Sequence, residues 1–258
     1  MKYQDILYVL DENVATITLH RPDNLNGMTT QMRAELAHAI TSAGAEARVI
    51  ILTGAGRGFC SGQDLGGAKS AKDIDLERVL REEYNPILTA IADSPVPIIC
   101  AVNGPAAGAG ANIALSCDIV IAGQSAYFLE AFARIGLIPD AGGTWLLPRK
   151  VGMARAMGMA LLAEPVKAQQ AADWGLIWEV VADAELAARS RDLALRLASG
   201  PTRAYGAIRK VMRRSLDQSY EDQLALEAEE QGRLGSSQDF QEGVLAFLEK
   251  RRPVFSGA

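Results

Sequence analysis

The run Ile98-Ile-Cys-Ala-Val102, followed by Asn103-Gly-Pro-Ala-Ala-Gly-Ala-Gly110 and then by a helical stretch around Ala111 to Leu115, decides the reading of the fold. A short, continuous apolar run bounded by turn residues reads as a buried strand. The loop after it offers bare backbone N–H groups, and because it feeds a helix its last amides carry the helix's positive end. An anionic oxygen is favoured there. The same succession occurs upstream, where the helical spacing of Met32, Leu36 and Ile40 leads to Val49-Ile-Ile-Leu52 and then to Gly54-Ala-Gly-Arg-Gly-Phe-Cys-Ser-Gly-Gln-Asp-Leu65. Downstream, a strand at Ile119 to Ile121 precedes a third loop, Gly136-Leu-Ile-Pro-Asp-Ala-Gly-Gly143. One such loop reads as a tight connection that tolerates positive φ. Three of them indicate a site built from main chain.

Outward from this centre, Ile6 to Leu10 and Val14 to Leu19 flank Asp11-Glu-Asn13 and predict a hairpin that closes at His20-Arg-Pro22. Leu76, Val79, Leu80, Ile87, Leu88 and Ile91 predict a helix interrupted near Pro86. From Val151 the chain turns Ala-rich and helical, with one strand candidate at Ile177 to Val181. Ser219-Tyr-Glu-Asp222 reads as a capping box opening the helix that carries Leu224, Leu226 and Ala228. Phe240, Val244, Phe247 and Leu248 give the last helix an apolar face, and Pro253 is expected to end it. Strands alternating with helices predict an α/β fold, although spacing alone leaves the sheet order open. With no linker between halves, residues 1–200 are expected as the core and 201–258 as a helical appendage of the same folding unit.

Twenty-six Lys plus Arg against thirty-one Asp plus Glu give the 258 residues a net charge of −5, which argues against nucleic acid as a partner. A local exception lies between Asp192 and Asp217, where Arg196, Arg203, Arg209, Lys210, Arg213 and Arg214 face no acid in sequence and form a candidate phosphate site. Cys60, Cys100 and Cys117 are odd in number and widely spaced, so neither a disulfide framework nor a zinc site is expected, and a reducing, cytoplasmic setting fits. The N-terminus reaches Asp5 too soon for a signal peptide. The apolar region from Val96 to Gly123 is interrupted too often to span a membrane. His20 and His38 are the only histidines, which excludes a histidine metal cluster and disfavours a Ser-His-Asp triad. The glycines after Leu52 match a dinucleotide fingerprint poorly, since Phe59 takes the third glycine's place. Carboxylates and backbone remain as the chemistry. Asp140 is the candidate carboxylate; its alternative reading is a cap on a helix beginning at Gly142 or Gly143.

The three loops, together with Arg21-Pro-Asp-Asn-Leu-Asn26 and Phe247-Leu-Glu-Lys-Arg-Arg-Pro253, resemble the enoyl-CoA hydratase/isomerase (crotonase) family over the whole chain. The resemblance implies a crotonase-like spiral of ββα turns, a helical C-terminal trimerisation region, a homotrimer or dimer of trimers, and an acyl-CoA substrate with no separate cofactor. Position by position, it implies an oxyanion hole from the backbone N–H groups of Gln63 and Ala109. It implies a CoA groove at Asn24, Leu25, Ser61, Asp64 and Leu65, with Lys250 of this or a neighbouring subunit reaching a phosphate. Tyr84, Phe132 and Trp145 are implied as the acyl pocket. Where a family hydratase has two glutamates this chain has Asn112 and Phe132, neither of which moves a proton at neutral pH. Asp140 stands where isomerising relatives have an aspartate. Glu130, two residues before Phe132, is expected at the surface, and only a local shift would bring it to the site. Further runs, including Trp174-Gly-Leu-Ile-Trp178 and Glu242-Gly-Val-Leu-Ala-Phe247, are similar to the isomerases of ring-1,2-epoxyphenylacetyl-CoA. The expected activity is therefore CoA-thioester isomerisation, of that epoxide to an oxepin or of a 3-enoyl to a 2-enoyl chain. The alternatives are an enoyl-CoA hydratase using Glu130 and a non-catalytic binding member of the family.

Overall fold

In the computed structural model, residues 2–64 and 75–257 are described. Strands β1 (Ile6–Asp11) and β2 (Val14–Leu19) form the expected antiparallel hairpin, Ile6 opposite Leu19 and Asp11 opposite Val14. Helix α1 (Thr30–Glu46) starts where the Thr29 hydroxyl accepts from the Met32 amide at 2.9 Å, and it buries Met32, Leu36, Ala39, Ile40 and Ala43. It leads to β3 (Val49–Gly54), parallel to β2. After the first glycine loop come α2 (Leu76–Val79), a π-helical turn over Leu80–Tyr84, and α3 (Asn85–Asp93). The interruption expected near Pro86 is this π turn. Pro86 lacks an N–H and sits in the first turn of α3, so the wider turn before it absorbs the lost hydrogen bond and swings Tyr84 inward.

Next follow β4 (Ile98–Val102), β5 (Ala106–Ala107), α4 (Ala109–Ser116), β6 (Ile119–Gly123), β7 (Tyr127–Leu129) and a 3₁₀ turn over Ala131–Ile135. The chain then runs through α5 (Gly143–Leu162), β8 (Val166–Lys167), α6 (Ala168–Asp173), β9 (Glu179–Val181) and α7 (Leu186–Ala198). It ends in α8 (Thr202–Arg214), α9 (Tyr220–Leu234) and α10 (Gln238–Leu248). The main sheet has the order β1-β2-β3-β4-β6-β9, parallel from β2 onward, and a second sheet has the order β5-β7-β8. One face of the main sheet packs on α1, α3 and α4, while Val14, Val49, Ile51, Ile99, Ala101 and Ile121 on the other face pack on Leu186, Leu193, Ala194 and Ala198 of α7. Burial of both faces explains why β3 and β4 read as unbroken apolar runs.

Spacing did not reveal β5, β7 and β8, because strands of two or three residues carry no period; the predicted strand at Ile177 begins two residues later. The last helix ends at Leu248, ahead of Pro253, as the Glu249 amide turns back to Leu245 O and Phe247 O. Ser219 does cap α9, accepting from the Asp222 amide. No helix among the described residues is long and apolar enough to cross a membrane, and none of their His, Cys, Asp and Glu side chains group as a metal site.

Three of the six basic residues, Arg209, Lys210 and Arg213, form a brace within the chain and not a free phosphate site. Arg209 is buried and donates through Nε to Asp118 Oδ2 at 2.5 Å and through Nη2 to Ile91 O at 2.7 Å, with a further bond to Ser94 O. Arg213 donates to Asp118 Oδ1 at 2.9 Å and Lys210 to Glu230 Oε1 at 2.7 Å. Asp118 also accepts the Ile98 amide at 2.8 Å, so α8 is fastened to the start of β4. Replacing Arg209 by Ala is expected to cost about 3 kcal/mol, since it leaves buried acceptors unpaired. The exposed Arg196→Ala is expected to stay within about 0.5 kcal/mol of wild type. Urea titration of the two variants checks this, and equal small effects would contradict the brace.

Candidate active site

The first two glycine loops are fastened by main chain. Asn26, fully buried, donates from Nδ2 to Ala55 O, Gly58 O and Phe59 O at 2.9, 2.8 and 3.1 Å, while its Oδ1 accepts the Arg21 amide at 2.9 Å. Pro105 O accepts from Phe59 N at 3.0 Å, and Ala107 N donates to Cys60 O at 2.9 Å. The approach is so close that a Cβ on Gly110 would lie 2.6 Å from Cys60 Sγ, and one on Gly104 would fall 2.3 Å from Arg57 O. These two positions require glycine.

Two amides are left over. Met28 N donates to Gly62 O at 2.8 Å and Asp64 N to Met28 O at 3.2 Å, so the intervening Gln63 N–H turns to the opposite side. Ala109 N is the first amide of α4. Among the described residues neither amide donates to a protein acceptor. The residue before Gln63 lies against the second amide, since a Cβ on Gly62 would stand 3.7 Å from Ala109 N. Two such donors beside a helix N-terminus form a place for a developing oxyanion.

A pair of carboxyl groups meets this loop from the second sheet and from the turn before α5. Ala107 pairs with Leu129, and Gly108 N donates to Leu129 O at 2.8 Å, which sets Glu130 against the start of α4. One turn along α4, the buried Asn112 donates from Nδ2 to Glu130 Oε2 at 3.1 Å and to Asp140 O at 3.0 Å. Gly143 N also donates to Asp140 O at 2.8 Å, and a Cβ on Gly143 would collide with Asn112 Nδ2 at 2.4 Å. The chain between them turns through Ala141 at φ 46° and Gly142 at φ 83°. Gly142 is the N-cap of α5, with no side chain capping it. The capping alternative for Asp140 is thereby corrected: its carboxyl caps no helix, and Oδ1 is buried and unpartnered among the described residues.

Burial pushes the Asp140 carboxyl up to about 6. Glu130, expected at the surface, is instead fully buried, because β5–β7 pairing carries the chain inward after Leu129. Burial pushes it up to about 7; the bond from Asn112 opposes the rise and the charge of Asp140 adds to it. Its Oε1 is also unpartnered among the described residues.

Asp140 lies along a largely apolar groove with Leu76, Leu80, Leu137 and Ile138. Tyr84 is buried, its ring 4.9 Å from the Arg33 guanidinium; burial raises its hydroxyl, Arg33 partly offsets this, and the charge of Asp140 reaches it. Phe132 is buried with its ring 3.6 Å from where a Cβ on Gly108 would stand. Trp145 is placed elsewhere: it lines a different groove with Leu115, Cys117 and Met212, its ring under the Arg149 guanidinium at 4.1 Å, because positions four apart on α5 stack. Asn24, Leu25, Ser61 and Asp64 do come together. Ser61 N donates to Leu25 O at 3.0 Å, the Ser61 hydroxyl to Asn24 O at 3.4 Å, and Arg21 pairs with Asp64 at 2.7 Å. Leu65 lies outside the described residues. Lys250 is exposed beyond α10, and no hydrogen bond among the described residues brings it to this cluster. Sequence reasoning missed the tie by which Asn112 joins both carboxyl-bearing segments; its signal is the glycine at 143.

The enoyl-CoA hydratase/isomerase family matches residues 10–258. A Rhodobacter capsulatus protein named "Probable enoyl-CoA hydratase" is 56% identical over 100% of both chains. The 1,2-epoxyphenylacetyl-CoA isomerase of Escherichia coli is 47% identical over 98% of both. Among solved structures, an enoyl-CoA hydratase from Bacillus anthracis is 30% identical, covers 99% of this chain and 100% of its own, and superimposes with a TM-score of 0.91. The mixed α/β fold with two sheets and C-terminal helices is shared with it.

The two raised carboxyls carry a stability consequence. Each binds its proton more tightly folded than unfolded, so ionisation opposes folding above the ordinary carboxylate range and the penalty vanishes as pH falls to about 4. Asp140→Asn and Glu130→Gln are each expected to raise Tm at pH 8 and to lose that gain near pH 4. Thermal unfolding at the two pH values tests this, and a gain independent of pH would contradict it.

Proposed function

The chain belongs to the enoyl-CoA hydratase/isomerase family, and on that premise we propose that it is an isomerase of CoA thioesters in which Asp140 is the acid/base. The observation that carries the reading is the half-buried Asp140 carboxyl, its Oδ1 unpartnered, tied through Asn112 to the helix whose first amide, with that of Gln63, has no protein acceptor among the described residues. Gln63 N–H and Ala109 N–H receive the thioester oxygen. Asp140 takes a proton from the α-carbon, and the electron pair of that C–H bond passes to the oxygen as an enolate. The two amides stabilise the enolate more than the ground-state carbonyl, and losing one such donor typically costs about 3 kcal/mol of barrier. Asp140 then returns its proton to the γ-carbon, and the double bond moves from C3 to C2 without water. One base serves both carbons, and a carboxyl raised toward neutrality is suited to taking and giving the proton.

The same constellation extends to 1,2-epoxyphenylacetyl-CoA, the substrate in the name of the Escherichia coli relative, with oxepin-CoA as product. On this reading the buried Tyr84 and Phe132 back the acyl end of the site, while Trp145, on a different groove, has no place in it. Asn24, Leu25, Ser61 and Asp64 hold CoA largely through backbone. Lys250 would then come from a neighbouring subunit. Exposed Phe240, Val244 and Phe247 on α10 fit assembly into a homotrimer or a dimer of trimers.

A specific observation favours a second reading, enoyl-CoA hydration. Glu130 supplies a second carboxyl near Asp140, and the relative at 56% carries a hydratase name. The product separates the two. A 3-enoyl-CoA incubated in heavy water is expected to yield the conjugated 2-enoyl isomer with no water added, and Asp140→Asn to lower kcat by about 10²- to 10⁴-fold. Mass-resolved chromatography reads both. A hydrated product that survives in Asp140→Asn would sink the isomerase reading.

A further inference from the structure

Glu130 is a buried acid that the proposed single-base mechanism leaves unused. It is fully buried, and among the described residues its only side-chain hydrogen-bond partner is Asn112 and no cation acts on it. From α4 it meets Asn112, which is uncharged; from the turn before α5 it meets Asp140. Arg134, on the following 3₁₀ turn, donates instead to Ala163 O, and Lys167 is exposed opposite Tyr127 on β7. From β5 come only Ala106 and Ala107.

A carboxyl so placed has two states with different consequences. Protonated, it is neutral and still accepts from Asn112 through Oε2. Ionised, it puts an uncompensated negative charge in a low-dielectric pocket beside the site where Asp140 must be anionic and an enolate must form. Asn112 links the two mechanically, since the same Nδ2 holds Glu130 Oε2 at 3.1 Å and Asp140 O at 3.0 Å. Resting on the isomerase reading above, we propose that Glu130 is a positioning residue that must stay a neutral acid for Asp140 to act as base. Through Asn112 it fixes the Asp140 backbone, and its proton keeps a second negative charge away from the enolate. It touches no substrate. The pair thus divides its protonation, one carboxyl ionised for chemistry and the other kept protonated, in line with burial raising Glu130, the more deeply buried of the two, further than Asp140.

Activity rises with pH as Asp140 ionises and falls as Glu130 ionises, giving a bell-shaped kcat/KM profile on a 3-enoyl-CoA. Above pH 7 the fall is about tenfold per pH unit if only the protonated form works. Glu130→Gln keeps a neutral acceptor for Asn112 but cannot ionise. The variant is expected to retain the rising limb and to lose the falling one, so that its ratio of kcat/KM at pH 8.5 to pH 6.5 climbs at least tenfold over wild type. A falling limb left in place in Glu130→Gln, or absent from wild type, overturns the proposal. Loss of turnover in Glu130→Gln at every pH also overturns it, since Glu130 would then itself move the proton. Should the variant fail to fold, infrared difference spectra of the wild-type protein between pH 6 and pH 8.5 are expected to show a buried protonated carboxyl disappear; no such band would overturn the proposal. Asp140→Asn, run alongside, keeps the two claims apart: if it still isomerises, the base assignment fails, whereas an inactive Asp140→Asn with an unchanged Glu130→Gln profile defeats this inference alone.

Discussion

One side-chain nitrogen, Nδ2 of Asn112, donates to a buried carboxyl from one sheet and to the backbone of the carboxyl-bearing turn ahead of α5, at 3.1 and 3.0 Å. Around this bridge the rest of the local architecture is arranged. Asn112 stands one turn into α4, whose first amide is half of the proposed oxyanion pair, so its register is fixed by the loop that precedes the helix. Gly143 has no side chain because a Cβ there would occupy the space of the amide group. The positive φ at Ala141 and Gly142 lets the chain turn quickly enough to leave the Asp140 side chain out of the helix cap. Burial then does the chemical work, raising both carboxyls toward the pH at which proton transfer is useful.

The polar centre is costly to fold, and the surrounding structure supplies the compensation. A six-stranded sheet whose central strands β3, β4 and β6 are buried on both faces holds the two glycine loops at one end, while Asn26 ties the first loop through three carbonyls. The C-terminal helices reinforce the same sheet from the side, with Arg209 joining α8 to Asp118 and to carbonyls ahead of β4. Rigid backbone on this scale suits a mechanism whose oxyanion donors are main chain, because an amide has no rotamer to adjust once the loop is set.

Much of this could be read from sequence where a residue's role depends on its neighbours in the chain. The unbroken apolar runs at β3 and β4, the glycine loops after them, the hairpin and the capped helices all follow from local pattern, and the resemblance singled out Asp140. What could not be read depends on contacts distant in the chain. Glu130 was expected in solvent because a charged residue at the end of a three-residue strand carries no sign of burial; only the pairing of β7 with β5 turns it inward. Trp145 was expected in the acyl pocket, yet its direction is set by its place on α5, where Arg149 stacks on it. The basic run in α8 looked free because its partners, Asp118 and Glu230, lie elsewhere in the sequence.

The central claim is that Asp140 removes an α-proton while the Gln63 and Ala109 amides hold the resulting enolate. Phenylacetyl-CoA tests this most directly, since it has an α-proton to lose but no double bond to move and no epoxide to open. Exchange of its α-hydrogens for deuterium in heavy water, followed by NMR, isolates the first step. The account predicts that the wild-type protein catalyses the exchange, with a rate that grows as pH rises through about 6, and that Asp140→Asn reduces it to the uncatalysed level. Exchange undiminished in Asp140→Asn would contradict it.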